Sequence, residues 1–137
     1  MSRLDGPAWG WFGIALLCGC AVLSALLALF LVPLYAGSVL VPVAVLVAVA
    51  SNVALPRLAR SLVASTTATV LPFAFWLVSV IVVGLLPRPE GDVVLPGGNG
   101  ALQWVSYGVL LGGAVAGTMT LALSGSRRPA QIDDLSR

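Results

Sequence analysis

Residues 9–32 read WGWFGIALLCGCAVLSALLALFLV and contain no Asp, Glu, Lys, Arg or His. The same is true of the longer stretch 6–56 around them, and of residues 61–87 and 93–126. A helix needs roughly 20 apolar residues to cross the hydrocarbon core of a bilayer. The first stretch is long enough for two crossings and each of the others for one. The sequence therefore predicts four transmembrane helices.

The composition excludes an ordinary soluble domain. The chain is 59% hydrophobic and 9% charged, with a mean hydropathy of +1.06, whereas soluble domains carry about 25% charged residues. After four helices, 137 residues leave no room for a soluble catalytic domain. The formal charge of +2 is small and dispersed, and nucleic-acid binding would need a basic patch or stripe. We expect the lipid bilayer to be the main partner and expect no nucleic-acid partner.

Prolines and a glycine-rich segment set the expected helix ends. Pro33 ends the first helix and Pro56 the second, because proline lacks the backbone donor that a helix interior needs. Pro72 lies inside the third helix, where it predicts a bend. We predict an all-α polytopic protein with four antiparallel transmembrane helices at about 9–32, 39–55, 62–86 and 101–124, in one domain, 1–124, followed by a disordered cytoplasmic tail, 125–137.

The arginines predict the orientation in the membrane. All seven basic residues are arginine, and six of them flank one side of the predicted helices. These six are Arg3, Arg57, Arg60, Arg127, Arg128 and Arg137. Arg88 alone is on the other side. The positive-inside rule then places both termini in the cytoplasm. Abundant Ala, Val, Leu and Gly with no Lys is typical of a GC-rich bacterial genome, so we expect a bacterial plasma membrane.

The fourth predicted helix carries two small-residue motifs. Gly108 and Gly112 form one, and Gly113 and Gly117 form the other. Glycines at this spacing let a second helix approach closely, which favours association where lipid offers no hydrophobic drive to pack. The two faces serve either internal packing of the bundle or contact with other membrane helices, from another subunit or from a second copy.

The loop before the fourth helix holds Arg88, Glu90 and Asp92, the densest polar cluster of the chain. A local arginine–carboxylate pair that orders a turn is the simplest interpretation. Contact with a cation or an outside partner is the alternative, although a calcium site needs six to eight oxygens. Cys18 and Cys20 point in different directions on a helix and there is no histidine, so we expect no metal, no cofactor and no catalytic residues.

Few polar side chains lie at predicted bilayer depth. Asn52 is the most notable, since a buried amide must find a hydrogen-bond partner. It could form a hydrogen bond between helices, or it could line a permeation path. The sequence favours a non-enzymatic accessory or assembly subunit that binds other membrane helices through its glycine-rich fourth helix. The alternative is a small channel or passive transporter for a neutral solute, built on the Pro72 bend and the threonines of 66–69.

Two motifs in the C-terminal half carry a family resemblance. Residues 88–92 read RPEGD and residues 107–113 read YGVLLGG. An R-P-E-G-D outer loop before a Y-G-x-L-L-G-G helix resembles a family of small four-helix actinobacterial integral membrane proteins of unknown function. The first two helices match that family only in being apolar, and the segment 95–100 makes the loop longer. The resemblance implies a membrane location and a four-span topology, and it assigns no activity to any residue.

Overall fold

A computed structural model describes residues 7–87, 89, 91 and 100–125. These residues form four α-helices and one short β-hairpin. The helices are α1 (Pro7–Leu31), α2 (Val43–Leu62), α3 (Thr66–Leu85) and α4 (Ala101–Gly125), and the hairpin strands are β1 (Tyr35–Ala36) and β2 (Val39–Leu40). The predicted all-α class with four helices is confirmed. Each helix is long and apolar enough to span a membrane, and the chain is a four-helix multi-pass membrane protein by this criterion.

The helices alternate in direction, and α2 and α3 each contact all three other helices. Gly10 and Gly13 near the start of α1 lie beside Leu62 at the end of α2. Glycines near the start of α4 lie beside residues near the start of α2, so these two helices run parallel. The backbones of α3 and α4 approach each other less than those of α1 and α2, α1 and α3, α2 and α3, or α2 and α4, and the rings of Trp76 and Phe73 on α3 reach across to glycines of α4.

The interior is built largely from small side chains at helical spacing. In α2 the buried positions recur every three or four residues, at Ala44, Ala48, Asn52, Pro56 and Ala59. The fully buried residues of α1 include three further alanines, Ala21, Ala25 and Ala28. Small side chains bring helix backbones close together, and in lipid it is this close packing that holds helices to one another.

The observed α2 begins and ends later in the chain than the predicted second helix. We expected residues 39–55, with Pro56 as the stop, but the helix is Val43–Leu62 and Pro56 lies buried inside it. A proline removes one backbone hydrogen bond from a helix. Inside a membrane no water is present to bond the other backbone groups, so they keep their helical hydrogen bonds and the helix continues past the proline. Arg57 and Arg60 therefore belong to the last turns of α2 rather than to a linker.

The displaced start of α2 has a local cause in the hairpin. Gly37 has a φ of +67°, a left-handed conformation that glycine adopts without strain. It begins a tight turn that pairs Ala36 with Val39 and Tyr35 with Leu40. Val39 and Leu40, which we had assigned to the second helix, are instead the return strand. The third helix likewise begins four residues later than predicted, at Thr66.

Candidate functional site

The first glycine face of α4 packs on α2. A Cβ atom at Gly108 would lie 2.8 Å from the Cγ2 atom of Val45, closer than real side chains approach. A Cβ atom at Gly112 would lie 3.4 Å from Val49 and 3.6 Å from Val45, which is ordinary van der Waals contact or slightly tighter. This face is therefore occupied by a helix of the same chain.

The second glycine face of α4 packs on α3. A Cβ atom at Gly113 would overlap the six-membered ring of Trp76, and one at Gly117 would overlap the ring of Phe73. Trp76 is fully buried, so its indole depends on the space that Gly113 leaves. Both motifs thus lie inside the bundle, and the internal-packing alternative describes all four glycines. A partner helix has to find its contact surface elsewhere.

The buried polar groups mostly bond within their own helix. The Nδ2 atom of Asn52 donates to the carbonyl of Ala48 at 2.8 Å, and its side chain is 1% exposed. The hydroxyl of Thr69 donates to the carbonyl of Ser65 at 2.9 Å, one turn back along α3. Pro72 has no N–H group, so the carbonyl of Ala68 lacks its usual helical donor. The hydroxyl of Thr69 donates to Ser65 and does not replace that donor. The amide of Asn52 is satisfied at least in part without a partner helix.

The outer-loop cluster cannot be placed. Arg88, Glu90 and Asp92 lie outside the residues that the structure describes, and so do residues 126–137 of the predicted tail; Gly125, the remaining tail residue, is the last residue of α4. The suggested ion pair and the suggested contact with a cation or partner stay predictions.

The outside of the bundle carries an apolar groove. It lies between α1 and α3, has a volume of about 380 Å³, and is almost entirely apolar. Its lining residues are Trp11, Ile14, Ala15, Cys18, Gly19, Val22, Leu71 and Phe75. Hereafter we call this surface the α1/α3 groove.

The floor of the α1/α3 groove is formed by small residues of α1. Ala15 and Gly19 are one helical turn apart and both are exposed, and nothing lies within 4 Å of a Cβ atom placed on Gly19. Cys18 is buried beside them, and both cysteines are free thiols. Unlike the glycines of α4, this small-x-x-x-small pair is uncovered. The sequence alone does not point to this pair, because alanine and glycine at this spacing do not stand out within a long apolar run.

Comparison of the chain with protein-family models, with curated proteins and with solved structures finds no match. The resemblance to the actinobacterial family with an RPEGD loop therefore stays a prediction. The class of protein that the fold defines is a four-helix, multi-pass membrane protein. Its role has to be argued from its surfaces.

Proposed function

We propose that this chain is a non-enzymatic accessory or assembly subunit that binds a transmembrane helix of another membrane protein in the α1/α3 groove. The single observation that carries the proposal is the exposed pair Ala15 and Gly19 at the groove floor. From the sequence we expected a partner helix to bind α4; we now propose that it binds the groove lined by α1 and α3.

The shape of the groove favours a helix as its occupant. Missing side chains on the floor let a second backbone approach closely, and the resulting contacts are those that hold helices together in lipid. Trp11 and Phe75 line the same groove and are both about half exposed, at 45% and 47%. Large rings of this kind offer wide contact area at little entropic cost. A helix with a small or flat face would cover both the floor and the rings.

The location of the subunit follows from its charges. Six of the seven arginines lie in segments that the topology assigns to one side of the membrane, which supports cytoplasmic N and C termini. The composition and the family resemblance support a bacterial plasma membrane. In this orientation Arg57 and Arg60 are at the cytoplasmic end of the bundle.

The alternative role as a channel has no comparable support. The centre of the described bundle is filled by apolar side chains, with Trp76, Val80 and Val109 fully buried. The threonines of 66–69 lie at the end of the bundle and not along its axis. No observation on the described residues favours a permeation path, so we propose the subunit role alone.

A matched pair of substitutions tests the proposal. Gly19→Leu places a branched side chain in the groove, and its Cβ atom meets no other atom of the chain within 4 Å. Cys20→Leu introduces the same side chain at the next residue, which is exposed and does not line the groove. Tagged variants are purified in mild detergent from the native membrane, and the mass and subunit composition of each complex are measured by native mass spectrometry.

We expect the unsubstituted chain and Cys20→Leu to emerge in one heteromeric complex of fixed stoichiometry. Gly19→Leu should emerge as the free 14.0 kDa chain. A photo-crosslinker at Ala15 should join the chain to the same partner subunit. A complex that survives Gly19→Leu, or a chain that is free in every variant, would contradict the proposal, and multiples of the chain's own mass would indicate self-association instead.

A further inference from the structure

A second recess lies at the end of the bundle that carries the arginines of α2. It has a volume of about 190 Å³ and is lined by residues from three helices. Arg60 comes from the end of α2, Ser65 and Thr66 from the start of α3, and Ser124 from the end of α4. We call it the Arg60 recess. The start of α3 and the end of α4 both line it.

The Arg60 recess carries a positive charge that nothing described balances. Arg57 and Arg60 are the only charged residues in the described part of the chain, and no carboxylate is present there. Within these residues the guanidinium of Arg60 therefore has no ion-pair partner. A guanidinium offers five N–H donors in a planar fork that matches the oxygens of a phosphate group.

Three hydroxyls of the recess are also without a partner among the described residues. Eight serines and threonines in the helices donate to a carbonyl of their own helix; they are Ser24, Ser51, Ser61, Thr69, Ser79, Ser106, Thr118 and Thr120. Ser65, Thr66 and Ser124 make no such bond within the described part of the chain. Ser124 stands out, since the carbonyl of Thr120 is within its own helix one turn away. These hydroxyls are free to donate to a ligand.

The backbone at the start of α3 adds further donors. Ser65 is the N-cap residue but its side chain makes no capping bond, and the first backbone bond of the helix is from Thr69 N–H to Ser65 at 3.1 Å. The N–H group of Ser65 donates to the carbonyl of Val63 at 2.8 Å. The N–H groups of residues 66–68, in the first turn of α3, precede the first bond within the helix and are left for another acceptor. The partial positive charge of a helix N-terminus favours an anion there. Arg60, the three residues with free hydroxyls and the start of α3 line the same recess.

We infer that the Arg60 recess binds the phosphate group of an anion. The donors come from a guanidinium, three hydroxyls and a helix start, and in the described residues there is no acidic group to repel the ligand. The recess lies at an end of the bundle beside Arg60, and basic pockets between membrane helices on the cytoplasmic side are known to hold anionic lipids. An anionic phospholipid and a soluble phosphate share this chemistry. The inference is independent of the subunit role, because the α1/α3 groove shares no residue with this recess.

Arg57 supplies a matched control for Arg60. Both are exposed arginines in the last turns of α2, but only Arg60 lines the recess. The full-length chain in a neutral detergent is titrated with dioctanoyl phosphatidylglycerol, with dioctanoyl phosphatidylcholine and with inorganic phosphate. Bound ligand is counted by native mass spectrometry for the unsubstituted chain, Arg60→Gln and Arg57→Gln.

We expect phosphatidylglycerol to bind with one high-affinity site per chain and phosphatidylcholine to bind more weakly. Arg60→Gln should weaken phosphatidylglycerol binding on the order of tenfold, the loss of one charge-assisted contact, and Arg57→Gln by less than about twofold. If inorganic phosphate binds with the same dependence on Arg60 and displaces the lipid, the ligand is a soluble phosphate. Both results support the recess as a phosphate site.

Equal binding by Arg60→Gln and Arg57→Gln would overturn the inference, and so would equal affinity for the two lipids. The combined variant Ser65→Ala with Ser124→Ala tests the hydroxyls while all arginines are kept. We expect it to lower phosphatidylglycerol affinity several-fold. Unchanged helicity by circular dichroism shows that each variant is folded, since every substituted side chain is outside the buried core.

Discussion

Gly113→Ala compared with Gly112→Ala is the most direct test of how the bundle is packed. The two glycines are neighbours in α4, and the substitution adds the same methyl group at each. At Gly112 the methyl group meets Val49 at 3.4 Å, whereas at Gly113 it overlaps three carbons of the Trp76 ring at less than 3.0 Å. The indole is fully buried, so a shift of the ring disturbs the packing around it.

The expected magnitudes follow from these contacts. Alanine stabilises a helix interior by about 0.5 to 1 kcal/mol relative to glycine. Gly112→Ala should therefore leave the free energy of unfolding unchanged or raise it by up to that amount. Overpacking a rigid core costs about 1 to 3 kcal/mol, so after the helix gain is subtracted Gly113→Ala should lower the free energy of unfolding by up to about 2.5 kcal/mol.

Unfolding in mixed micelles with increasing SDS, followed by far-UV circular dichroism, measures both values. The double variant Trp76→Phe with Gly113→Ala provides the control, because phenylalanine lacks the ring atoms that the methyl group would overlap. The cost of Gly113→Ala should be smaller in the Trp76→Phe background, by on the order of 1 kcal/mol. Equal stability of the two single alanine variants would refute the packing of α4 on α3 described above.

Three further substitutions test other parts of the fold. Asn52→Leu should change the free energy of unfolding by about 1 kcal/mol or less, because the amide bonds within its own helix; a large loss, measured by SDS unfolding, would show that it holds another helix. Gly37→Ala should cost about 1 kcal/mol, because its φ of +67° strains any residue with a Cβ atom, and the same assay would contradict this if stability were unchanged. In a chain without its native cysteines, Arg57→Cys and Arg88→Cys should react with an impermeant maleimide from opposite sides of the membrane, and labelling from one side would refute the topology.

Residue patterns predicted part of the candidate surfaces and missed the rest. The glycines of α4 were visible as motifs, but the sequence left open whether they face inward or outward. Ala15 and Gly19 carry the same spacing and were overlooked, although they are the uncovered pair. A small-residue motif shows only that another helix can approach closely at that face. Whether a helix of the same chain already occupies the face depends on the tertiary structure.

The sequence by itself determined the number of spanning helices and their order, because insertion depends on the apolar length of each segment, whichever segments surround it. The prediction that Pro56 ends the second helix was wrong, because α2 continues past this proline. In lipid the backbone groups have no water to bond, which favours continuing the helix. Only the tertiary structure decided which faces are covered and which residues meet. Arg60 and Ser124 are far apart in the chain and line one recess, and Gly113 lies on Trp76. Since lipid is as apolar as the helices themselves, hydropathy does not distinguish these contacts, and the shapes of the side chains between the helices select them.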